Sequence, residues 1–157
     1  MKWPSLSRNK LQKCTRNTPL FTICGMIKAK AVSVYDGDTF DAVFKFDRKY
    51  QRFKIRCLGY DSEEIRQPLD CKEREVKKEK ARKDRDELAR WILDKIIYLD
   101  CRGFDKYGRV LAKIYTESGV CINEWMVQNG FGKSYESPRI NLKISSTIKS
   151  SSSESTS

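Results

Sequence analysis

Three short polar segments hold the residues that could do chemistry. They are Asp36-Gly37-Asp38-Thr39, the stretch from Arg56 through Asp61, Ser62 and Glu63 to Glu64, and Asp105-Lys106-Tyr107-Gly108-Arg109. Taken singly, each reads as ordinary surface. Asp-Gly is a hairpin turn signal, the second stretch is a basic strand running into an acidic loop, and the third is a polar turn. Taken together, they bring Asp38, Asp61 and Glu64, with Arg56 and Arg109, to the ends of predicted strands. Hydrolysis of a phosphodiester asks for this set. A hard cation held by oxygen ligands polarises the phosphoryl oxygen. A carboxylate takes the proton of the attacking water. Planar guanidiniums grip phosphate oxygens in pairs and offset the growing charge. Electrostatics also asks for a cation, since two carboxylates ~4 Å apart repel by roughly 4 kcal/mol at an effective dielectric of 20.

Composition narrows the chemistry further. The chain has no histidine, which removes Ser-His and Cys-His nucleophile pairs, histidine bases and imidazole-bound zinc. Its six cysteines form no C-x-x-C pair, so a zinc site is not expected, and they read as reduced thiols of an intracellular protein. A formal charge of +11 on 157 residues suits either solubility or attraction to a polyanion. The apolar stretch 19–27 is broken by Thr22 and Gly25 and is too short to span a bilayer. Basic residues near the start have no apolar run behind them, so no secretory signal is expected. These features predict a soluble, intracellular protein with no membrane partner.

The elements that must position these residues can be read from periodicity. Val32 and Val34 alternate before the Asp36-Gly37 turn, and Phe40, Ala42, Phe44 and Phe46 alternate after it. A second turn lies in 47–51, followed by Phe53, Ile55 and Cys57 as a third strand. The charged segment 71–95 is nearly all polar in its first half. Leu88, Trp91 and Ile92 share a helical face, so its second half is predicted as an amphipathic helix. Runs 96–101 and 110–115 read as a fourth and fifth strand, and 121–129 as a short helix closed by Gly130. Residues 1–19 are basic without an acidic residue, and 145–157 are almost all Ser and Thr, too polar to pack. The order of three strands, helix, two strands, helix predicts an α+β, mainly β fold: a five-stranded, partly open, OB-fold-like barrel with two helices packed against it.

The same segments are similar to the staphylococcal nuclease (thermonuclease) family over about residues 28–135. The resemblance rests on Val34-Tyr35-Asp36-Gly37-Asp38-Thr39, the stretch Arg56 to Glu64, Asp105-Lys106-Tyr107-Gly108-Arg109 with Leu111-Ala112-Lys113-Ile114-Tyr115 after it, and Ile122-Asn123-Glu124 leading to Gly130. Their order and the intervals Arg56-to-Asp61 and Asp61-to-Glu64 match the family's. The resemblance implies a hydrolase: a calcium-dependent phosphodiesterase or endonuclease acting on DNA and/or RNA with little sequence preference, expected as a monomer. It implies Asp38 and Asp61 as side-chain ligands of Ca2+, the Ser62 carbonyl as a further ligand, Glu64 as general base, and Arg56 and Arg109 as phosphate-gripping residues. Lys106 and Tyr107 would lie against the bound nucleotide. The domain plan becomes a flexible basic arm (1–25), the OB-fold nuclease domain (26–137) and a disordered Ser-rich tail (138–157). Departures from the family pattern are Glu63 where a proline is usual, a longer loop between the second and third strands, a charged helix extended at its start, and no clear C-terminal helix. The alternative, an inactive binding or scaffold module of this family, should have lost at least one of Asp38, Asp61, Glu64, Arg56 and Arg109. All are present.

Overall fold

The computed structural model describes residues 8–66 and 72–135. After a single helical turn, α1 (Arg8–Leu11), come β1 (Cys24–Asp36), β2 (Thr39–Phe46), β3 (Lys49–Cys57) and the short β4 (Tyr60–Asp61). Then follow α2 (Arg74–Ile92), β5 (Ile96–Phe104), β6 (Val110–Tyr115), α3 (Ile122–Gln128) and the short β7 (Lys133–Ser134), which pairs with β4. The long strands close into a barrel in the order β1-β2-β3-β6-β5. The barrel is closed rather than partly open. The reason is the 13-residue β1: its first half pairs with β5 from Cys24 to Lys30, and its second half pairs with β2 from Lys30 to Asp36. All strand pairs in the barrel are antiparallel except β3 with β6.

Alternation fills the barrel. Ala31, Ala42 and Ala112 leave room for Phe40, Phe44, Ile55, Leu99 and Ile114, all essentially fully buried. The thiols of Cys57 and Cys101 lie in this interior, and burial pushes Cys57 up to about 12. The five cysteines among the described residues are free. Contacts with the barrel begin before β1: the Phe21 ring packs against Phe46 and Phe104, and Ile23 is in the core.

Two elements are longer than the sequence pattern suggests. The β2–β3 connection is a two-residue turn, Asp47-Arg48, with both φ positive, and the extra residues lengthen the strands rather than the loop. Helix α2 starts at Arg74, so the polar half of the charged segment is helical too. That half is laced by charge pairs one turn apart, Glu79–Lys83 at 2.9 Å and Lys80–Asp84 at 2.8 Å. Ala81, Asp84, Leu88 and Ile92 form its buried stripe. Gly130 closes α3 with φ +77, as the C-cap reading predicts. Among the described residues, no helix is long and apolar enough to cross a membrane. The tail 138–157 and residues 1–7 of the basic arm lie outside the described residues.

Buried Asn123 on α3 ties this scaffold together. Its carbonyl oxygen accepts the Ile114 N–H at 2.8 Å, and its amide donates to the Leu58 carbonyl at 2.8 Å and the Ala112 carbonyl at 3.2 Å. It thus fixes β6 and the turn leading out of β3 to one helix. Asn123→Ala strands a buried N–H and a buried carbonyl, each costing about 1–3 kcal/mol. Urea denaturation should show a loss of about 2 kcal/mol or more, and a loss under about 0.5 kcal/mol would contradict this role.

Candidate active site

One end of the barrel gathers four chain segments: the β1–β2 turn, the end of β3, the loop through and after β4, and the loop before β6. Asp36, Asp38, Thr39, Arg56, Asp61, Ser62, Glu64 and Arg109 line a cleft of about 300 Å³ there. Of the residues predicted from sequence, Arg56, Glu64, Arg109, Asp38, Asp61 and Ser62 therefore come together. Lys106 and Tyr107 sit on the adjoining loop, with the Lys106 ammonium 4.9 Å and the Arg109 guanidinium 5.4 Å from the centre of the exposed Tyr107 ring.

The turn is held rigidly. The Tyr60 hydroxyl, buried in the core, donates to the Gly37 carbonyl at 2.7 Å, and the Cys57 N–H donates to the Asp38 carbonyl at 2.8 Å. Only glycine fits at position 37. A Cβ there would stand 2.7 Å from the Asp84 Cβ and 2.8 Å from the Ser62 Cβ. Asp84 of α2, buried and paired with Lys80, thus backs both the turn and the loop, and its carboxylate lies 3.5 Å from the Glu63 N–H.

Asp38 is 8% exposed and its oxygens are fully engaged. Oδ2 accepts from the Ser62 N–H at 2.8 Å and the Ser62 hydroxyl at 3.0 Å. Oδ1 accepts from the Thr39 hydroxyl at 2.9 Å and pairs with Arg56. The other terminal nitrogen of Arg56 pairs with the more exposed Asp61, so this guanidinium bridges the two carboxylates. Arg109 is oriented separately: its Nε donates to Asp105 at 2.6 Å and its Nη1 to Thr39 at 3.3 Å. Asp105 also accepts the backbone N–H groups of Tyr107 and Arg109 at 2.9 Å. Burial would raise the Asp105 carboxyl, but these bonds from Arg109 and Tyr107 outweigh it and hold the group below the usual range.

The adjacent glutamates diverge. Glu64 lines the cleft, whereas Glu63 turns to the opposite side and lies 3.5 Å from Lys133. Asp36 is a residue that the sequence reading passed over. Strand β1 carries register shifts between Ala31 and Ser33 and between Val34 and Asp36. Such shifts re-aim side chains, and here Asp36 lines the cleft. Burial pushes its carboxyl above the usual range, a hydrogen bond from the Ile65 backbone opposes this, and the charges of Asp38 and Glu64 add to the rise. Its Oδ1 is buried without a hydrogen-bond partner. The only signal for it was its place in the Asp-Gly-Asp triplet.

This donor set is oxygen only, with one buried oxygen lacking a partner, which suits a hard cation such as calcium rather than a thiolate or imidazole metal. Among the described residues no three carboxylates are gathered closely enough to hold an ion as they stand; Arg56 lies between Asp38 and Asp61 instead.

A family model described as staphylococcal nuclease homologue matches residues 54–154. The match starts within β3, beyond Asp36 and Asp38, and takes in Arg56, the loop to Glu64 and Arg109. A protein of Escherichia coli named "Uncharacterized endonuclease" is 28% identical over 114 residues, 73% of this chain and 65% of that protein. A protein of the same name from Escherichia coli O157:H7 gives the same figures. The chain thus spans about 65% of the length of these curated relatives.

A carboxyl whose folded pKa is raised costs stability above that pKa, and the cost fades as pH falls through it. Asp36→Asn should therefore raise the Tm of chelator-treated protein at pH 7 by a few degrees, and the gain should shrink toward pH 4. Thermal unfolding across that range checks this; a lower Tm at pH 7 would mean that the Asp36 charge is not a burden to the metal-free fold.

Proposed function

The chain belongs to the staphylococcal nuclease homologue family, and we propose that this cleft is the active site of a calcium-dependent nuclease that hydrolyses phosphodiester bonds of DNA and/or RNA. The observation that carries the reading is the convergence of Asp38, Asp61, Glu64, Arg56 and Arg109 on one cleft from three distant segments. Asp38, Asp61 and the Ser62 carbonyl would hold calcium, with Asp36 beside them. When bound, the ion would polarise a phosphoryl oxygen and offset the charge of the carboxylates.

The protein's own groups do the rest. Glu64 accepts a proton from the attacking water, which typically contributes about 100- to 10,000-fold. Arg56 now spends its two terminal nitrogens on Asp38 and Asp61, so gripping phosphate means exchanging a carboxylate oxygen for a phosphate oxygen. Arg109 needs no such exchange: with its Nε fixed by Asp105 and Nη1 near Thr39, its Nη2 is left to the substrate. Negative charge growing on the phosphoryl oxygens is met by both guanidiniums, whose paired donors match those oxygens. Lys106 and Tyr107 border the site where the nucleotide sits, the exposed ring suiting base stacking. These contacts address phosphate, sugar and one base face, so little sequence preference follows.

Single-turnover cleavage of an oligonucleotide tests the assignment. Glu64→Gln should lose most of the general-base factor, roughly 100-fold or more, while Glu63→Gln should stay near wild type because Glu63 faces Lys133. Arg109→Lys keeps the charge, loses the fork, and should lose on the order of 100-fold. A live Glu64→Gln variant with a dead Glu63→Gln variant would overturn the assignment of the base.

A further inference from the structure

The buried stripe of α2 is out of pattern at one place. It consists of Ala81, Asp84, Leu88 and Ile92, three apolar residues and one carboxylate. The Asp84 side chain is 2% exposed. Lys80, one turn earlier, grips it through both oxygens, with Nζ 3.0 Å from Oδ1 and 2.8 Å from Oδ2. The same ammonium donates to the Gly130 carbonyl at 3.4 Å, so it also ties α2 to the end of α3. An ion pair with a buried partner is weak evidence for stability, because well-packed apolar residues of similar volume often do as well or better. The pair therefore asks for another role.

Its place in the fold supplies one. The two N–H groups that precede Glu64 go to two different buried carboxylates. That of Ser62 donates to Asp38 at 2.8 Å, and that of Glu63 donates to Asp84 Oδ2 at 3.5 Å, a long bond that the charge of its acceptor strengthens. The loop also pairs with β7, Asp61 opposite Lys133, and the Lys133 ammonium lies 3.5 Å from the Glu63 carboxylate. Asp61, Ser62, Glu63, Lys80 and Lys133 enclose a small polar cavity of about 160 Å³. Position 63 is where this family usually has proline. Proline would fix the backbone by its ring, but it has no N–H to donate. Glu63 lacks the ring and has the N–H, and Asp84 is the acceptor placed to receive it.

We propose that Lys80 and Asp84 are positioning residues for the loop that bears the general base: they hold the Glu63 N–H, and with it the direction of Glu64, by a hydrogen bond where proline would hold the backbone by its ring. Lys80 acts through Asp84 by orienting its carboxylate, and neither residue lines the cleft. The backbone of Glu63 is what is held, so its side chain is not required. The proposal rests on the nuclease reading for the role of Glu64, and the exchange measurement below needs no catalysis.

The test is Lys80→Met combined with Asp84→Leu in the full chain. This double variant replaces the pair by apolar groups of like volume and should leave the Tm equal to or above that of wild type. In excess chelator its Glu63 amide should exchange hydrogen at least about 10-fold faster than in wild type, as for the loss of one local hydrogen bond. The amide of Ile55 in the barrel core should exchange as before. Single-turnover cleavage in calcium should fall on the order of 100-fold, since a small misplacement of a catalytic group costs that much. Half-saturation by the oligonucleotide should stay within about 2-fold of wild type, because Arg56, Arg109, Lys106 and Tyr107 are untouched. Adding Glu63→Pro should restore most of the lost rate. Wild-type exchange and rate in a stable double variant would overturn the proposal. So would a rate that falls only in step with Tm, or no recovery on adding Glu63→Pro. If wild type itself cleaves nothing in calcium, the nuclease reading fails, and the exchange result alone decides whether the pair holds the loop.

Discussion

Negative charge concentrated at one end of the barrel is the constraint on which the site depends. Asp36, Asp38, Asp61 and Glu64 line one cleft, and Asp38 is nearly buried. Charges so placed must be compensated or they protonate or move apart. Compensation takes two forms here. Asp38 receives three hydrogen bonds, two from Ser62 and one from Thr39. Arg56 then bridges Asp38 and Asp61. Asp36 receives less, and its raised pKa and partnerless oxygen mark where the compensation is incomplete. A cation supplied from solution would meet that deficit and release Arg56 toward phosphate.

The fold makes this crowding possible by fixing backbone first. Tyr60 reaches from the core to the carbonyl of Gly37, and the absence of a side chain at Gly37 lets Asp84 and Ser62 close over the turn. Asn123 pins the exit of β3 against β6. Parallel pairing of β3 with β6, Arg56 opposite Leu111, sets Arg56 near the end of β3 beside the loop that brings Arg109 into β6. Each arginine then has its own carboxylate anchor, Asp38 and Asp61 for one and Asp105 for the other. The chemistry rests on side chains, but their placement rests on a few buried backbone contacts.

Much of this was legible in the sequence because it follows from local period. Alternation located the barrel strands, and the three polar segments fell at strand ends as their turn chemistry required. What was not legible breaks the period or lacks apolar signal. Register shifts in β1 bring Asp36 into the cleft, and no alternation count reveals a bulge. The part of α2 up to Asp84 buries Ala81 and Asp84 but shows a nearly all-polar sequence, since its support comes from charge pairs along the helix. The divergence of Glu63 and Glu64 was legible in principle, from alternation in an extended loop, whereas the Lys133 partner of Glu63 needed the tertiary fold. The β2–β3 hairpin looked like a long loop because its tip is polar, yet Asp47 and Arg48 turn the chain in two residues.

The central claim is that this cleft hydrolyses phosphodiesters with a hard cation compensating its carboxylates. The most direct measurement is cleavage of single-stranded DNA and of RNA by the purified full chain in calcium, in magnesium and in excess chelator. Calcium accepts irregular carboxylate shells, whereas magnesium demands a tight octahedron. The account predicts cleavage in calcium, little in magnesium and none in chelator. Undiminished cleavage in chelator, or none in any condition, would contradict it.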